Sequence, residues 1–171
     1  MPAITNSLQQ EYPWTKMHFL ITVPGLSGAT AAFSEATGME ATIDVIEFRQ
    51  GNSSSFSPVK VPGLVKHGNV SLKYGYTENN DFRNWASRCV SDTRGAAMDR
   101  QDVYIELLDA GNGLTANPTG STSNQYILKD AWVCKYTAPD LNALQSEIAI
   151  ETLEIAFERL EIPGAANNGA S

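Results

Sequence analysis

The chain is poor in the side chains that most enzymes and metalloproteins rely on. Of its 171 residues only two are histidine and two are cysteine. His18 opens an apolar alternation and His67 sits beside Gly68, and neither has a carboxylate or a cysteine at metal-ligand spacing. No metal site is expected. Cys89 and Cys134 are isolated in apolar surroundings, which excludes a closely spaced zinc or redox motif and the density of a disulfide scaffold. Two buried free thiols are the expectation. Basic residues are also scarce, 12 against 19 acidic ones for a net charge of −7, so the chain has no reserve of cations to grip nucleic acid along an extended face. An acidic wall past which a polyanion slides stays compatible with that balance. No apolar run approaches the roughly 20 residues of a membrane span, and MPAITNSLQQEYPWTK lacks a basic region followed by an apolar core. Neither a spanning segment nor an ordinary export signal is expected.

Catalytic patterns are missing as well. No Gly-x-Ser-x-Gly elbow frames any of the many serines. The loop GNGLTANPTGSTSN, with Gly111, Gly113 and Gly120, lacks the lysine and the strand-to-helix setting of a phosphate cradle and reads as a hairpin tip. Glu147, Glu151, Glu154, Glu158 and Glu161 recur at intervals of four and three, which fits a solvated or interface-facing stripe better than a general acid and base converging in a cleft. The chain is read as a non-enzyme without a cofactor.

What is present is a β-rich domain. With 42% hydrophobic and 18% charged residues, a chain of this length can bury about two-thirds of the surface its unfolded form exposes. Residues 1–15 read as an N-terminal arm, 16–162 as the core and 163–171, small and polar, as a flexible tail. Phe19, Ile21 and Val23 alternate into a strand that Pro24 and Gly25 stop. Val70, Leu72 and Tyr74 alternate in another, and Val103, Ile105 and Leu107 in a further one. Between them Phe82, Trp85, Ala86 and Cys89 stand at offsets of three and four, the stripe of a short amphipathic helix. Tyr126–Tyr136 reads as a strand with Leu128, Asp130, Trp132, Cys134 and Tyr136 on one face, the charged Asp130 being its weak point. In EIAIETLEIAFERLEI, Ile150, Leu153, Phe157 and Leu160 fit a helical stripe, whereas a strand would have to change face near Thr152 through a bulge. Periodicity favours the helix there.

Residues 31–75 carry the most information. AAFSEATGMEATIDVIEFRQG runs through a Ser-rich loop into VPGLVKHGNVSLKYG, a ribbon with more edge than a small domain can cover. Met39, Ile43 and Val45 share one face of its first arm while Ile46 and Phe48 take the other. A strand that is apolar on both faces has two neighbours to satisfy. The pattern points to assembly.

Taken in order, AAFSEATG at 31–38, EFRQG at 47–51, VPGLVKHGNVSLKYG at 61–75, the helix around Phe82 and Trp85, and IAIETLEIAFERLEI at 148–162 resemble the tail tube protein family of contractile phages, shared with the inner-tube proteins of phage-derived contractile injection systems. The resemblance covers about residues 16–162. It implies a mainly β fold, a small antiparallel β-barrel or sandwich with one flanking α-helix and an extended β-ribbon loop, six copies of which close into a ring. It also implies a strand at the C-terminal run, at the cost of the bulge near Thr152. The implied partners are identical subunits, a sheath, a baseplate with its spike, a terminator or cap, and a lumenal cargo of protein effector or DNA. Assembly would take place in the bacterial cytoplasm, with release as part of the particle.

By the same resemblance, the loop from Gly51 to Pro62 reaches toward the adjacent ring. There Ser53, Ser54 and Ser55 would supply hydrogen bonds and Phe56 and Val59 apolar contact; the charges of Arg49 and Lys60, which flank the loop, are open to two readings, a meeting with the acidic stripe of Glu147–Glu161 across an interface or ordinary surface charge. Tyr12 and Trp14 sit in an arm with no core of its own and are expected to dock, on a neighbouring subunit or on the parent domain. Phe82, Trp85, Trp132 and Phe157 are expected as core anchors. A second reading, from a different class, is a monomeric β-sandwich binding module that recognises carbohydrate or protein through the Gly111–Asn124 loop.

Overall fold

The computed structural model describes residues 16–26, 29–31, 33–52, 56–91, 99–108, 125–144 and 146–162. Tyr12, Trp14, Ser53, Ser54, Ser55, the 111–124 loop and the 163–171 tail lie outside these residues. In chain order the elements are β1 (Phe19–Val23), β2 (Ala29–Ala31), β3 (Phe33–Thr37), β4 (Ala41–Phe48), β5 (Val59–His67), β6 (Val70–Gly75), α1 (Asp81–Val90), β7 (Gln101–Leu107), β8 (Gln125–Thr137), β9 (Ile150–Ala156) and β10 (Arg159–Glu161). All strand pairings are antiparallel.

Eight strands make one sheet, in the order β2-β1-β7-β8-β9-β6-β3 with β10 added to β8, while β4 and β5 pair only with each other. The two ends of that path, β2 and β3, are separated by a single residue in sequence, so the sheet curls back on itself. It does not close: β1 comes within 8 Å of β3, yet no ladder joins them among the described residues. The expected barrel is therefore an open, strongly curved sheet.

Alternation builds the interior. Ile21 and Val23, then Val70 and Leu72, then Val103 and Ile105, all at or below 1% exposure, line its concave side together with Leu153 and Ile155 of β9. The helix covers one end of this core with Phe82, Trp85 and Ala86. Phe82 meets Phe33 edge to face at 5.1 Å between ring centroids, and Phe33 meets Tyr74 at 5.4 Å. Trp85 is fully buried and its indole N–H donates to the Asp99 carbonyl at 2.8 Å, so the ring brings no unsatisfied donor inside.

Two strands depart from the periodic reading. The C-terminal run is a strand, and its break comes at Phe157–Glu158, between β9 and β10, not near Thr152. No change of face is needed at Thr152, because Glu151 itself turns inward and keeps Glu151, Leu153, Ile155 and Phe157 in one buried row. The acidic stripe is accordingly not a stripe: Glu151 is buried, while Glu147 and Glu158 are exposed.

The other departure is β8. Its first half lies between β7 and β10 and its second half pairs with β9, with Asp130 at the changeover in a left-handed conformation, φ 52°. Asp102 braces that kink by accepting from Lys129 Nζ at 2.7 Å and from the Asp130 N–H at 3.2 Å. The kink and a second register shift at Cys134 bring Leu128, Ala131 and Val133 inward. Trp132 lies outside the core cluster, with the Arg100 guanidinium over its ring at 5.1 Å. Cys134 is exposed and Cys89 half-buried, so the expected pair of buried thiols is not found, though both are free.

A candidate assembly surface

The β4–β5 hairpin stands away from the curved sheet. Eight residues of β4 reach about 26 Å at roughly 3.3 Å per residue, and every one of them is exposed. Ile43, Val45, Ile46 and Phe48 on β4, with Val59, Val61, Leu64 and Val65 on β5, all show 45% to 76% of their surface. Both faces of the ribbon are thus apolar and open. Scattered exposed leucines need no explanation, but a contiguous two-sided patch on a two-stranded hairpin does, since such a hairpin is marginal in water by itself.

Local sequence explains how the ribbon starts and bends. Gly38 leaves β3 at φ 89°, and a Cβ there would stand 2.3 Å from the Asn69 carbonyl oxygen, so only glycine lets the two root segments pass. Beside the root, His67 packs on Phe157 with 5.2 Å between ring centroids. Midway, the register slips between Ile43 and Val45, opposite Pro62 and Gly63. Proline has no N–H to give to a ladder, which suits it to a bulged two-stranded edge. Lys66 pairs with Asp44 at 2.7 Å and Lys60 with Glu47 at 3.6 Å, both exposed pairs that hold register more than they stabilise.

The residues nominated near the tip divide clearly. Phe56 is 90% exposed with the Arg49 guanidinium 5.5 Å from its ring centroid, and Val59 opens β5 opposite Phe48. Lys60 is taken by Glu47 across the hairpin, and Pro62 faces Val45 at the bulge. Sequence reasoning read the two-faced apolar pattern of residues 43–48 as pointing to assembly, but nominated contact residues only toward the tip. It passed over Leu141, Leu144 and Ile148, which are 90%, 95% and 81% exposed between β8 and β9.

Nothing in this surface resembles a reaction centre. Among the described residues no group of three His, Cys, Asp or Glu side chains is placed to hold a metal ion, and no helix is long and apolar enough to cross a membrane. Glu151, fully buried in the fold, has its oxygens taken by Arg83 Nε at 3.1 Å and by the Tyr136 hydroxyl at 2.7 Å. Desolvation first and the Glu151 carboxylate second push the Tyr136 phenol up to about 12.

The sequence profile described as T4-like virus tail tube protein gp19 matches residues 15–161, and the chain belongs to that family. It is a family of structural proteins. Among solved structures, the chain is similar to one in the PVC sheath–tube complex of an extracellular contractile injection system in the extended state, with 20% identity, a TM-score of 0.67 and coverage of 92% of this chain and 97% of that one. A chain of the anti-feeding prophage baseplate matches with 20% identity and a TM-score of 0.69, covering 88% of this chain and 95% of that one. A chain of the cap that terminates the anti-feeding prophage tube matches with 21% identity and a TM-score of 0.66, covering 88% and 91%. These likenesses establish the fold. No curated protein sequence matches the chain.

Proposed function

We propose that the chain is the structural subunit of the inner tube of a contractile injection system or contractile phage tail. Six copies close into a ring, rings stack into a hollow tube, and contraction of a surrounding sheath drives the tube through a target envelope with cargo in its lumen. The single observation that carries this reading is the β4–β5 ribbon, whose apolar residues on both faces have no cover among the described residues, in a chain that belongs to a tail tube family. Covering such a ribbon with neighbouring copies removes its bare edges and buries apolar surface at roughly 25 cal/mol per Å² before ordering costs.

Arg49, Phe56, Val59, Lys60 and Pro62, with Ser53, Ser54 and Ser55, are the proposed contacts to the adjacent ring, and the stem residues Ile43, Val45, Ile46 and Phe48 extend them. Tyr12 and Trp14 are proposed to dock the arm. Sheath, baseplate with spike, terminator and lumenal cargo are the proposed partners, and no catalytic step is involved. Negative-stain electron microscopy of the purified protein across a concentration series tests the reading. Six-fold rings or hollow tubes that increase with concentration are expected. Monomers at every concentration and salt, even with a preformed baseplate as nucleus, would overturn it.

A further inference from the structure

Apart from the ribbon, the described surface carries an apolar hollow and an apolar knob. The hollow lies at the seam where the curved sheet fails to close. Phe19 of β1, Ala36 of β3, Met39, and Ile105 and Leu107 of β7 line a cleft of 470 Å³ there, with Met17 on its rim at 77% exposure. An apolar cavity of about 150 Å³ holds one benzene-sized group, so this cleft has room for two or three aliphatic side chains. Ser34, Glu35 and Thr37 complete the lining, with Glu35 paired to Lys73 at 2.8 Å, and Lys16 stands beside them.

The knob is the segment 138–149 between β8 and β9, which carries Leu141, Leu144 and Ile148 at 90%, 95% and 81% exposure. Within it the Leu144 N–H donates to Asn142 Oδ1 at 3.0 Å, and where it meets β9 the Tyr76 N–H donates to the Ala149 carbonyl at 2.9 Å. Three large aliphatic side chains so open within eight residues form a patch, not scattered exposure. Asp140 and Glu147 flank them, opposite in sign to the lysine at the cleft.

The two features sit at opposite ends of the sheet. Ile105 in the cleft pairs with Tyr126 near the start of β8, whereas the knob leaves the far end of β8 after Thr137. One chain therefore cannot bring its own knob to its own cleft without unfolding. Two copies can, head to tail, and a heterologous contact of that kind repeats from copy to copy, giving a ring where its rotation closes. We infer that Leu141, Leu144 and Ile148 of one copy seat in the β1–β3 cleft of the next, with Asp140 and Glu147 meeting Lys16 to set register. This contact rests on the ring reading above and names the surfaces that join neighbours within a ring, distinct from the ribbon between rings.

Cross-linking in the assembled full chain tests it. In a Cys89→Ser, Cys134→Ser background, Ala36→Cys and Leu144→Cys are combined in one chain and treated with a short bismaleimide. A ladder of covalent multimers is expected, while the two single variants mixed should stop at dimers. Leu144→Asp, at a site 95% exposed and so harmless to folding, should lower the ring fraction at fixed concentration by about tenfold or more. Rings that form normally without the ladder would overturn this contact and leave the ring reading intact. So would efficient cross-linking of position 36 to Trp14→Cys in its place, which would assign the cleft to the N-terminal arm. Absence of rings from the wild-type chain at every concentration and salt, even with a preformed baseplate as nucleus, would overturn both readings.

Discussion

Glu151 shows how one residue can carry both stability and a lesson about pattern. Its carboxylate is fully buried, paired with Arg83 and hydrogen-bonded by Tyr136, and Arg83 in turn lies over the Tyr76 ring at 4.0 Å and donates to the Thr77 carbonyl and to Asn80 Oδ1. The cluster thereby ties the start of α1 to β8 and β9. Removing only Arg83 leaves the Glu151 charge in the interior without its partner, which is destabilising, whereas replacing both by apolar groups can be close to neutral. Arg83→Met is expected to lower the denaturant midpoint, and Arg83→Met with Glu151→Leu to recover most of the loss. A double variant as unstable as the single one would show that the loss is one of packing. No local pattern reveals this pair, because Glu151 belongs to a series of glutamates at helical spacing and its partner lies 68 residues away.

Among the elements, the ribbon is the one whose worth cannot be judged in isolation. Its strands satisfy each other's backbone on one edge only, and neither face is buried. A substitution on it should therefore leave the fold alone and act on assembly. Phe56→Asp and Val45→Asp are each expected to abolish or shorten tubes while leaving the melting temperature of the monomer within the range of an ordinary surface change, about 0.5 kcal/mol. Intact tubes from either folded variant would remove that residue from the stacking surface. A fall in monomer stability would instead place the ribbon against its own domain. The signal for β4 was legible as an apolar residue on both faces at 43–48. What was not legible is that those faces look outward, since periodicity reports which residues are apolar and not where the neighbours stand.

At the scale of the whole molecule, the open seam between β1 and β3, the knob at 138–149 and the two-faced ribbon all leave apolar surface uncovered on a single copy. Association that covers them binds the folded chain and not the unfolded one, so it stabilises by mass action. The melting temperature of the wild-type protein is expected to rise with protein concentration, and that of Leu144→Asp to stay flat. A melting temperature independent of concentration in the wild type, under conditions where rings are seen, would mean that assembly contributes no stability to the fold.

The sequence by itself determined the β-rich composition, the single helix with Phe82 and Trp85 inward, the strands at 19–23, 70–75 and 101–107, the ribbon and the family. Each is a local matter: alternation, a three-and-four stripe, a Pro-Gly stop, or an ordered set of blocks. Tertiary structure decided the rest. The C-terminal run reads as helix by spacing, yet β6 and β8 on either side of it offer two ladders, and paired backbone outweighs a helical stripe. Trp132 and Cys134 read as inward-facing, but the left-handed turn at Asp130 and the register shift at Cys134 carry them off the core face, and β8 makes that turn only because it must serve different partners in its two halves. The seam stayed open for the same kind of reason. Whether two strands close a barrel depends on curvature summed over every strand between them, a quantity that no stretch of sequence holds alone.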